Sequence, residues 1–466
     1  MWRHCPGASP YWENPQSAMQ SPSSRHFAAN NCNATPGVWT TGCVAIRLTH
    51  VRIRGPAAVV SQPATIAAVP NTIAAAPFLV LTLILGSFGP RWAMAAPFTP
   101  RSDAEVVETV PARATDPGAR ELQALRQAWR AQPQDLEAAT RLAWRYQQEV
   151  AATGDPRFMG YIQATLRTWW SLPEPPPEVR VLRAVVRQFD HQFEAALADL
   201  HAVLEEDPDH VQALAWQLAI RMVQADYRGA RASCENLAPL VSPLVGAACR
   251  AQIEAATGRA GSAAAGLRAA LQSQPQADAA ERQWSLTRLA EIEVHRGDAA
   301  AAQAAFDKAL AIGQGDVYLQ AAYADFLLDQ GRAAEVVARL KDRSRADVLL
   351  LRLALAAKAA GEPKAVDSAR ELQARFDAAR LRGDTSHRKE EARHALVLRG
   401  DVALALKLAR ENWAEQREPA DARVLLETAL AARDRAAAQP VLQWLADSGF
   451  ESVPLRLLAD RVKALQ

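Results

Sequence analysis

The chain has 466 residues, of which 49% are hydrophobic and 22% are charged, so it can fold as two or three domains or as one long repeat array. Its 53 basic and 51 acidic residues nearly cancel, and neither sign forms a long block, which argues against nucleic acid as a partner. Arg far outnumbers Lys, and no Lys precedes Lys308, a bias typical of GC-rich bacterial genomes.

Residues 1–72 differ in composition from everything that follows them. They contain Cys5, Cys32 and Cys43, many Asn, Ser and Pro residues, and no helical periodicity. Three unevenly spaced cysteines without a CxxC pair do not indicate a metal or disulfide module. We therefore predict a disordered segment or an over-extended gene start, with the true start near Val51.

The next segment, 73–95, has the organisation of an export signal. Its apolar run is roughly 16 residues long, shorter than the ~20 that a membrane-spanning helix needs. Ala93 and Ala95 then supply small side chains at the −3 and −1 positions, which predicts cleavage after Ala95 and a linker over 96–117. The sequence thus predicts a periplasmic protein; the alternative is an inner-membrane anchor formed by an uncleaved 73–90 segment.

From residue 118 onward, apolar residues recur at helical spacing and Ala is abundant. Gly and Pro fall between the helical stretches rather than inside them. This pattern predicts an all-α chain of short antiparallel helices.

The helical region also repeats itself. FEAALADLHAVL (193–204) aligns with YRGARASCENLA (227–238) at an offset of 34 residues, which places aromatic, small and apolar residues in register. Gly297 and Gly331 are also 34 residues apart. A fixed period of this length indicates a solenoid built from similar units.

The clearest unit is RGDAAAAQAAFDKALAIG (296–313), with Gly297 at a turn, Ala302 and Ala309 at small-residue sites and Phe306 at an aromatic site. On these residues the sequence resembles the tetratricopeptide repeat (TPR) family. The resemblance implies that residues 118–466 form a right-handed superhelical solenoid of seven or eight antiparallel helix pairs.

The resemblance also implies a binding surface, since TPR proteins generally bind peptides or partner helices along an inner wall of first helices. The wall positions carried over from the family are Trp284, Glu291, His295, Tyr318, Asp325 and Asp329. Because these side chains are acidic and aromatic, we expect a protein or peptide partner with a basic or amphipathic segment. We infer no small-molecule substrate.

One further contact residue comes from segment 154–178, which contains adjacent Trp169 and Trp170 followed by a proline cluster. Only one of two adjacent side chains can face the core. A solvent-facing Trp170 is therefore a candidate contact residue; the alternative is that the proline-rich loop covers it.

Cys234 and Cys249 are the only cysteines after the predicted cleavage site. In the TPR arrangement they lie on neighbouring helices, the second of one unit and the first of the next. An oxidising periplasm would permit a disulfide between them. Two buried free thiols are the alternative.

No catalytic or cofactor motif stands out, because the chain has no P-loop, no GxSxG elbow and no HExxH. His387 and His394 lie seven residues apart without a third ligand, so we predict a polar helix face and no metal site. We expect no cofactor and no enzymatic activity. The sequence favours a periplasmic scaffold or adapter in an envelope assembly or export system; the alternatives are an accessory subunit of an envelope enzyme complex and a membrane-anchored TPR protein.

Overall fold

The computed structural model describes residues 116–313 and 316–465. Within these ranges every regular element is a helix, which confirms the predicted all-α class. The predicted segments 1–72 and 73–95 lie outside the described residues, as does nearly all of the linker 96–117.

Twenty α-helices follow one another through the described ranges. The first ten are α1 (Pro117–Ala131), α2 (Leu136–Thr153), α3 (Arg157–Trp170), α4 (Pro177–Phe189), α5 (Phe193–Glu206), α6 (Val211–Val223), α7 (Tyr227–Leu237), α8 (Pro243–Ala256), α9 (Ala260–Ser273) and α10 (Ala279–Arg296). The other ten are α11 (Ala299–Ile312), α12 (Val317–Asp329), α13 (Ala333–Leu340), α14 (Asp347–Ala359), α15 (Lys364–Leu381), α16 (Arg388–Arg393), α17 (Val402–Glu415), α18 (Pro419–Ala432), α19 (Gln439–Ser448) and α20 (Val453–Lys463). A π-helical turn, His394–Arg399, continues α16.

The helices pack as successive antiparallel pairs, each with an inner helix followed by an outer helix. The pairs are α2–α3, α4–α5, α6–α7, α8–α9, α10–α11, α12–α13, α14–α15 and α16–α17. Neighbouring inner helices also touch, as α8 and α10 do, so each pair buries its apolar face against the next pair. The described chain is therefore a TPR-like solenoid, as the sequence predicted.

The helix pair α10–α11 shows how the residues of the repeat pattern form the turn between two helices and pack them together. Gly297 ends α10 in the left-handed conformation, with φ of +78°, that favours glycine. Asp298 caps α11, accepting a hydrogen bond at 2.9 Å from the backbone amide three residues on. Ala302, Phe306 and Ala309 are all buried, so the small residues permit close approach and the aromatic ring fills the layer between helices.

The array curves until an early helix meets later ones. Gly154 follows α2, and a Cβ added there would come within 2.6 Å of the Cβ of Ala346 and 3.4 Å of a methyl of Val317. Helix α2 also contacts α12 directly. The inner helices consequently surround a central space.

The last five helices, residues 388–463, cover the turns that follow several inner helices; we call them the closing block. The Arg417 amide donates to the carbonyl of Val223, the last residue of α6, at 2.8 Å. The Glu451 carboxylate accepts from the amide of Ala260 at 2.9 Å, at the start of α9. The indole of Trp444 donates to the hydroxyl of Tyr227 at 3.2 Å. The concave side of the solenoid is thus in contact with the chain's own C-terminal helices.

Candidate binding site: the concave wall and central cavity

The inner helices and the closing block line a central cavity of about 470 Å³ that is partly open to solvent. Its lining comes from α2, α4, α6, α8, α10, α12 and α14 on one side and from α16, α18 and α20 on the other. Much of it is apolar, with Phe189, Met222, Ile292 and Phe450 among the larger side chains. A volume of this size lies within the range of small-molecule sites, roughly 300–1,000 Å³.

Five of the predicted wall residues line this cavity, and they are Glu291, His295, Tyr318, Asp325 and Asp329. The inner-helix periodicity places them together because the inner helices α10 and α12 present the same face. Trp284 does not line the cavity in the described structure. Its side chain is only 3% exposed and packs in the core.

Glu291 and Tyr318 form a buried cluster with Arg288. The Arg288 guanidinium lies 3.0 Å from a Glu291 oxygen and 4.4 Å from the centre of the Tyr318 ring. The Tyr318 hydroxyl donates a hydrogen bond to Glu291. Burial raises the pKa of Glu291 and of Tyr318, since removal from water disfavours a negative charge. The cluster pairs its opposite charges, although the Nε of Arg288 is buried without a hydrogen-bond partner among the described residues, and it is part of the wall's structure.

Asp325 is held by two arginines from different parts of the chain. Arg352 of α14 approaches it at 2.6 Å and Arg393 of the closing block at 3.0 Å. Burial alone would raise the pKa of Asp325, but the charges of the two arginines outweigh it and hold that pKa below its ordinary value. Asp325 therefore stays ionised, and it connects the wall to the closing block.

Asp329 and His295 make the other contacts between the wall and the closing block. Arg423 of α18 binds both oxygens of Asp329 at 2.7 Å, a bidentate arrangement. The His295 ring lies 3.1 Å from the Ser452 hydroxyl and 4.9 Å, centre to centre, from the Phe450 ring. Burial lowers the pKa of His295 to about 4, so the ring is neutral at neutral pH.

The closing block also contributes charged groups to the cavity that sequence reasoning missed. Lys389 lies 3.2 Å from Asp421 and 3.8 Å from Glu418, and Asn412 donates to Asp421 at 2.9 Å. Burial raises the pKa of Glu418 to about 6. No sequence signal pointed to these residues, because they lie where the repeat spacing drifts from 34.

Trp170, the remaining predicted contact residue, lies at the end of α3. Both Trp169 and Trp170 are partly buried and pack against the N-terminal part of the core. The carbonyl of Trp170 also accepts a hydrogen bond from Arg183 at 2.6 Å. The structure places Trp170 away from the cavity, where a role in partner binding stays a prediction.

The structure contains a disulfide between Cys234 of α7 and Cys249 of α8, whose Cα atoms are 6.1 Å apart. Both residues are buried in the core, where the outer helix of one unit meets the inner helix of the next. The predicted cleavage residues Ala93 and Ala95 lie outside the described residues.

No protein-family model matches the chain, and no curated protein is significantly similar to it in sequence. Among solved structures, a tetratricopeptide repeat protein from Parabacteroides merdae ATCC 43184 is 16% identical with a TM-score of 0.39, over 51% of this chain and 92% of that chain.

Two other solved structures resemble the chain to a similar degree. Human IFIT1, in a dimer with m7Gppp-AAAA, is 14% identical with a TM-score of 0.41, over 75% of this chain and 86% of that chain. The APC/C hetero-tetramer Cut9–Hcn1 is 12% identical with a TM-score of 0.41, over 71% of this chain and 64% of that chain. With TM-scores below 0.5, none of these likenesses assigns a ligand, partner or activity to this chain.

Two further observations concern only residues 116–313 and 316–465. In these ranges no group of three or more His, Cys, Asp or Glu side chains is arranged to hold a metal ion. No helix among them is long and apolar enough to cross a membrane.

Proposed function

We propose that the chain is a non-catalytic scaffold or adapter of the bacterial periplasm, which binds a basic, amphipathic segment of a protein partner on its concave wall. One observation carries this proposal. The wall carboxylates Asp325 and Asp329 already bind arginines on helices that belong to another part of the chain. The wall therefore has the chemistry needed to hold a basic helix.

The closing block occupies this wall, so a partner must compete with it. A partner helix would replace Arg423 at Asp329, where both side chains of the pair remain about 30% exposed. Binding that requires an opened state is weakened in proportion to the population of that state. Weakening the closing contact should consequently strengthen partner binding.

Two features support the periplasm as the compartment. Segment 73–95 has the apolar run and the small residues before the cleavage site that are typical of a cleaved export signal. The Cys234–Cys249 disulfide suits an oxidising compartment, since cytosolic proteins seldom keep such bonds. An envelope assembly or export system is the setting that we propose for such a scaffold.

The compartment is tested by separating cells into cytoplasmic, periplasmic and membrane fractions and analysing the protein from each; the mature chain should be in the periplasmic fraction. Intact mass and N-terminal peptide mapping should give a mature chain that begins at Ala96. A peptide from residues 10–40 in the precursor would overturn the predicted start near Val51, and a mature chain retaining 73–90 would favour the membrane anchor.

The partner site is tested with two opposing variants. Stoichiometric partner capture from periplasmic extract should be about fivefold weaker in Asp329→Asn than in Arg423→Ala, because both variants lose the internal pair and only Asp329→Asn also loses the wall carboxylate. In Arg423→Ala the wall keeps its carboxylate and loses its internal competitor. If the pair is worth about 1 kcal/mol, partner affinity should rise about fivefold in that variant.

The matched controls are Glu335→Gln and Arg332→Ala, which break an ion pair at the start of the outer helix α13. Both should capture the partner as the unmodified chain does. Equal capture by all four variants would place the partner elsewhere on the molecule. Absence of any stoichiometric partner would overturn the scaffold itself.

A further inference from the structure

The apolar part of the central cavity is not used by the proposed partner site. Phe189, Met222, Ala255 and Leu455 come from four different helices, and all of them line it. They lie on both sides of the boundary between the array and the closing block. The closing block therefore forms part of the cavity wall.

The charged groups that line the cavity are engaged with one another or with near neighbours. The ion pairs are Arg288–Glu291, Arg352–Asp325, Arg393–Asp325, Arg423–Asp329, Arg375–Asp347, Lys389–Glu418 and Lys389–Asp421. Glu390, which also lines the cavity, acts electrostatically on Lys389. An anionic ligand would have to break one of these pairs to gain a partner of its own, and a cationic ligand would have to compete with Lys389 for Glu390.

The cost of burying charge decides which ligand fits such a cavity. A charged group that leaves water without a partner costs several kcal/mol, whereas apolar surface gains about 25 cal/mol per Å² on burial. We propose that the central cavity binds a neutral, predominantly apolar small molecule while the closing block is in place. This site is independent of the partner proposed above, which needs the closing block displaced.

Two probes with the same ring system test the charge preference. N-phenyl-1-naphthylamine is neutral, and 8-anilino-1-naphthalenesulfonate adds one sulfonate to it. Fluorescence titration of the mature protein should give saturable binding of the neutral probe at one site. Its affinity should exceed that of the sulfonate by about tenfold or more, which corresponds to 1.4 kcal/mol.

Two alanines on one helix locate the site. Ala420 is exposed and lines the cavity, whereas Ala431 is exposed on the same helix α18 and does not line it. Ala420→Trp should fill the cavity and reduce neutral-probe affinity at least tenfold. Ala431→Trp should bind the probe as the unmodified chain does.

Helicity and thermal unfolding are recorded for each variant, and Ala322→Leu is a milder filling variant on α12 if Ala420→Trp fails to fold. A neutral probe that binds without saturation, or equally well after both filling changes, would overturn the site. Sulfonate binding that equals or exceeds neutral binding would overturn the ligand class.

Discussion

The array arc, residues 177–312, and the closing block, residues 388–463, are both built from helices but are held in different ways. In the arc, each helix pair contacts the pairs next to it in sequence. The closing block instead contacts turns far away in sequence, as Trp444 does at Tyr227. The repeat pattern therefore specifies how neighbouring helix pairs stack. Contact between the closing block and the array depends instead on particular residues that do not belong to the 34-residue pattern.

The largest expected change in the free energy of unfolding comes from reduction of the Cys234–Cys249 disulfide, which lies wholly within the array arc. Reduction should lower the free energy of unfolding by about 3 kcal/mol, because the bond closes a loop of 15 residues and restricts the unfolded chain. Urea unfolding with and without dithiothreitol measures this. The Cys234→Ala/Cys249→Ala double variant is the control and should not respond to the reductant. Identical curves for the unmodified protein would contradict the expected stabilisation.

A pair of glycine variants separates closure from local turn geometry. Gly258 and Gly331 both have positive φ, +78° and +72°, so alanine at either should cost about 1 kcal/mol. Only at Gly258 does an added Cβ meet the closing block, 3.0 Å from the carbonyl oxygen of Gly449.

Gly258→Ala should therefore lower the free energy of unfolding by about 2–3 kcal/mol, because overpacking against the closing block adds to the backbone strain. Gly331→Ala has the strain alone and should lower it by about 1 kcal/mol. Urea unfolding of the two variants side by side gives the difference. Equal losses would mean that the closing block adjusts around Gly258 without cost, and would remove closure as a determinant of stability at this turn.

The same comparison explains what the sequence could predict. Gly297, Ala302 and Phe306 follow a 34-residue pattern whose physical basis is local, namely a turn, a close crossing and a filled layer. That pattern predicts the all-α fold and the inner face on which Glu291 and Asp325 lie.

The partners of the wall residues could not be predicted in this way. Arg393 is 68 residues from Asp325, and Arg423 is 94 residues from Asp329. Repeat spacing has drifted by that point in the chain, and the family resemblance implies an open concave wall. The number of units and the curvature bring these residues together, and neither is encoded in any single repeat.

Acid should weaken the contact between wall and closing block through His295. Its folded pKa is about 4, below the ordinary value of 6.5, so its neutral form is stabilising at neutral pH and that stabilisation is lost as pH falls through 6.5 towards 4. Protonation of His295 alone should make the free energy of unfolding about 2 kcal/mol lower at pH 5 than at pH 8. Urea unfolding at both pH values measures the loss.

The loss is assigned to His295 by comparing variants, since other groups also titrate in this range. Glu418, whose pKa is raised to about 6, acts in the opposite direction and gains stability as pH falls. Between pH 8 and pH 5, the free energy of unfolding of His295→Gln should fall by about 2 kcal/mol less than that of the unmodified chain. His201→Gln, on the exposed face of α5, should lose as much as the unmodified chain.

The smallest effect on the free energy of unfolding concerns two ion pairs, and it shows how much the Arg423–Asp329 pair contributes to closure. Arg423 and Asp329 form a bidentate pair at 2.7 Å across the boundary, whereas Arg332 and Glu335 form an exposed pair at the start of α13. Double-mutant cycles should give a coupling energy of about 1 kcal/mol for the first pair and about 0.3–0.5 kcal/mol for the second. Because the first pair is less exposed, 0.5 M salt should reduce its coupling by a smaller fraction. If the two couplings are equal, the Arg423–Asp329 pair adds no more to closure than an ordinary surface ion pair, and a basic partner would gain little by replacing Arg423.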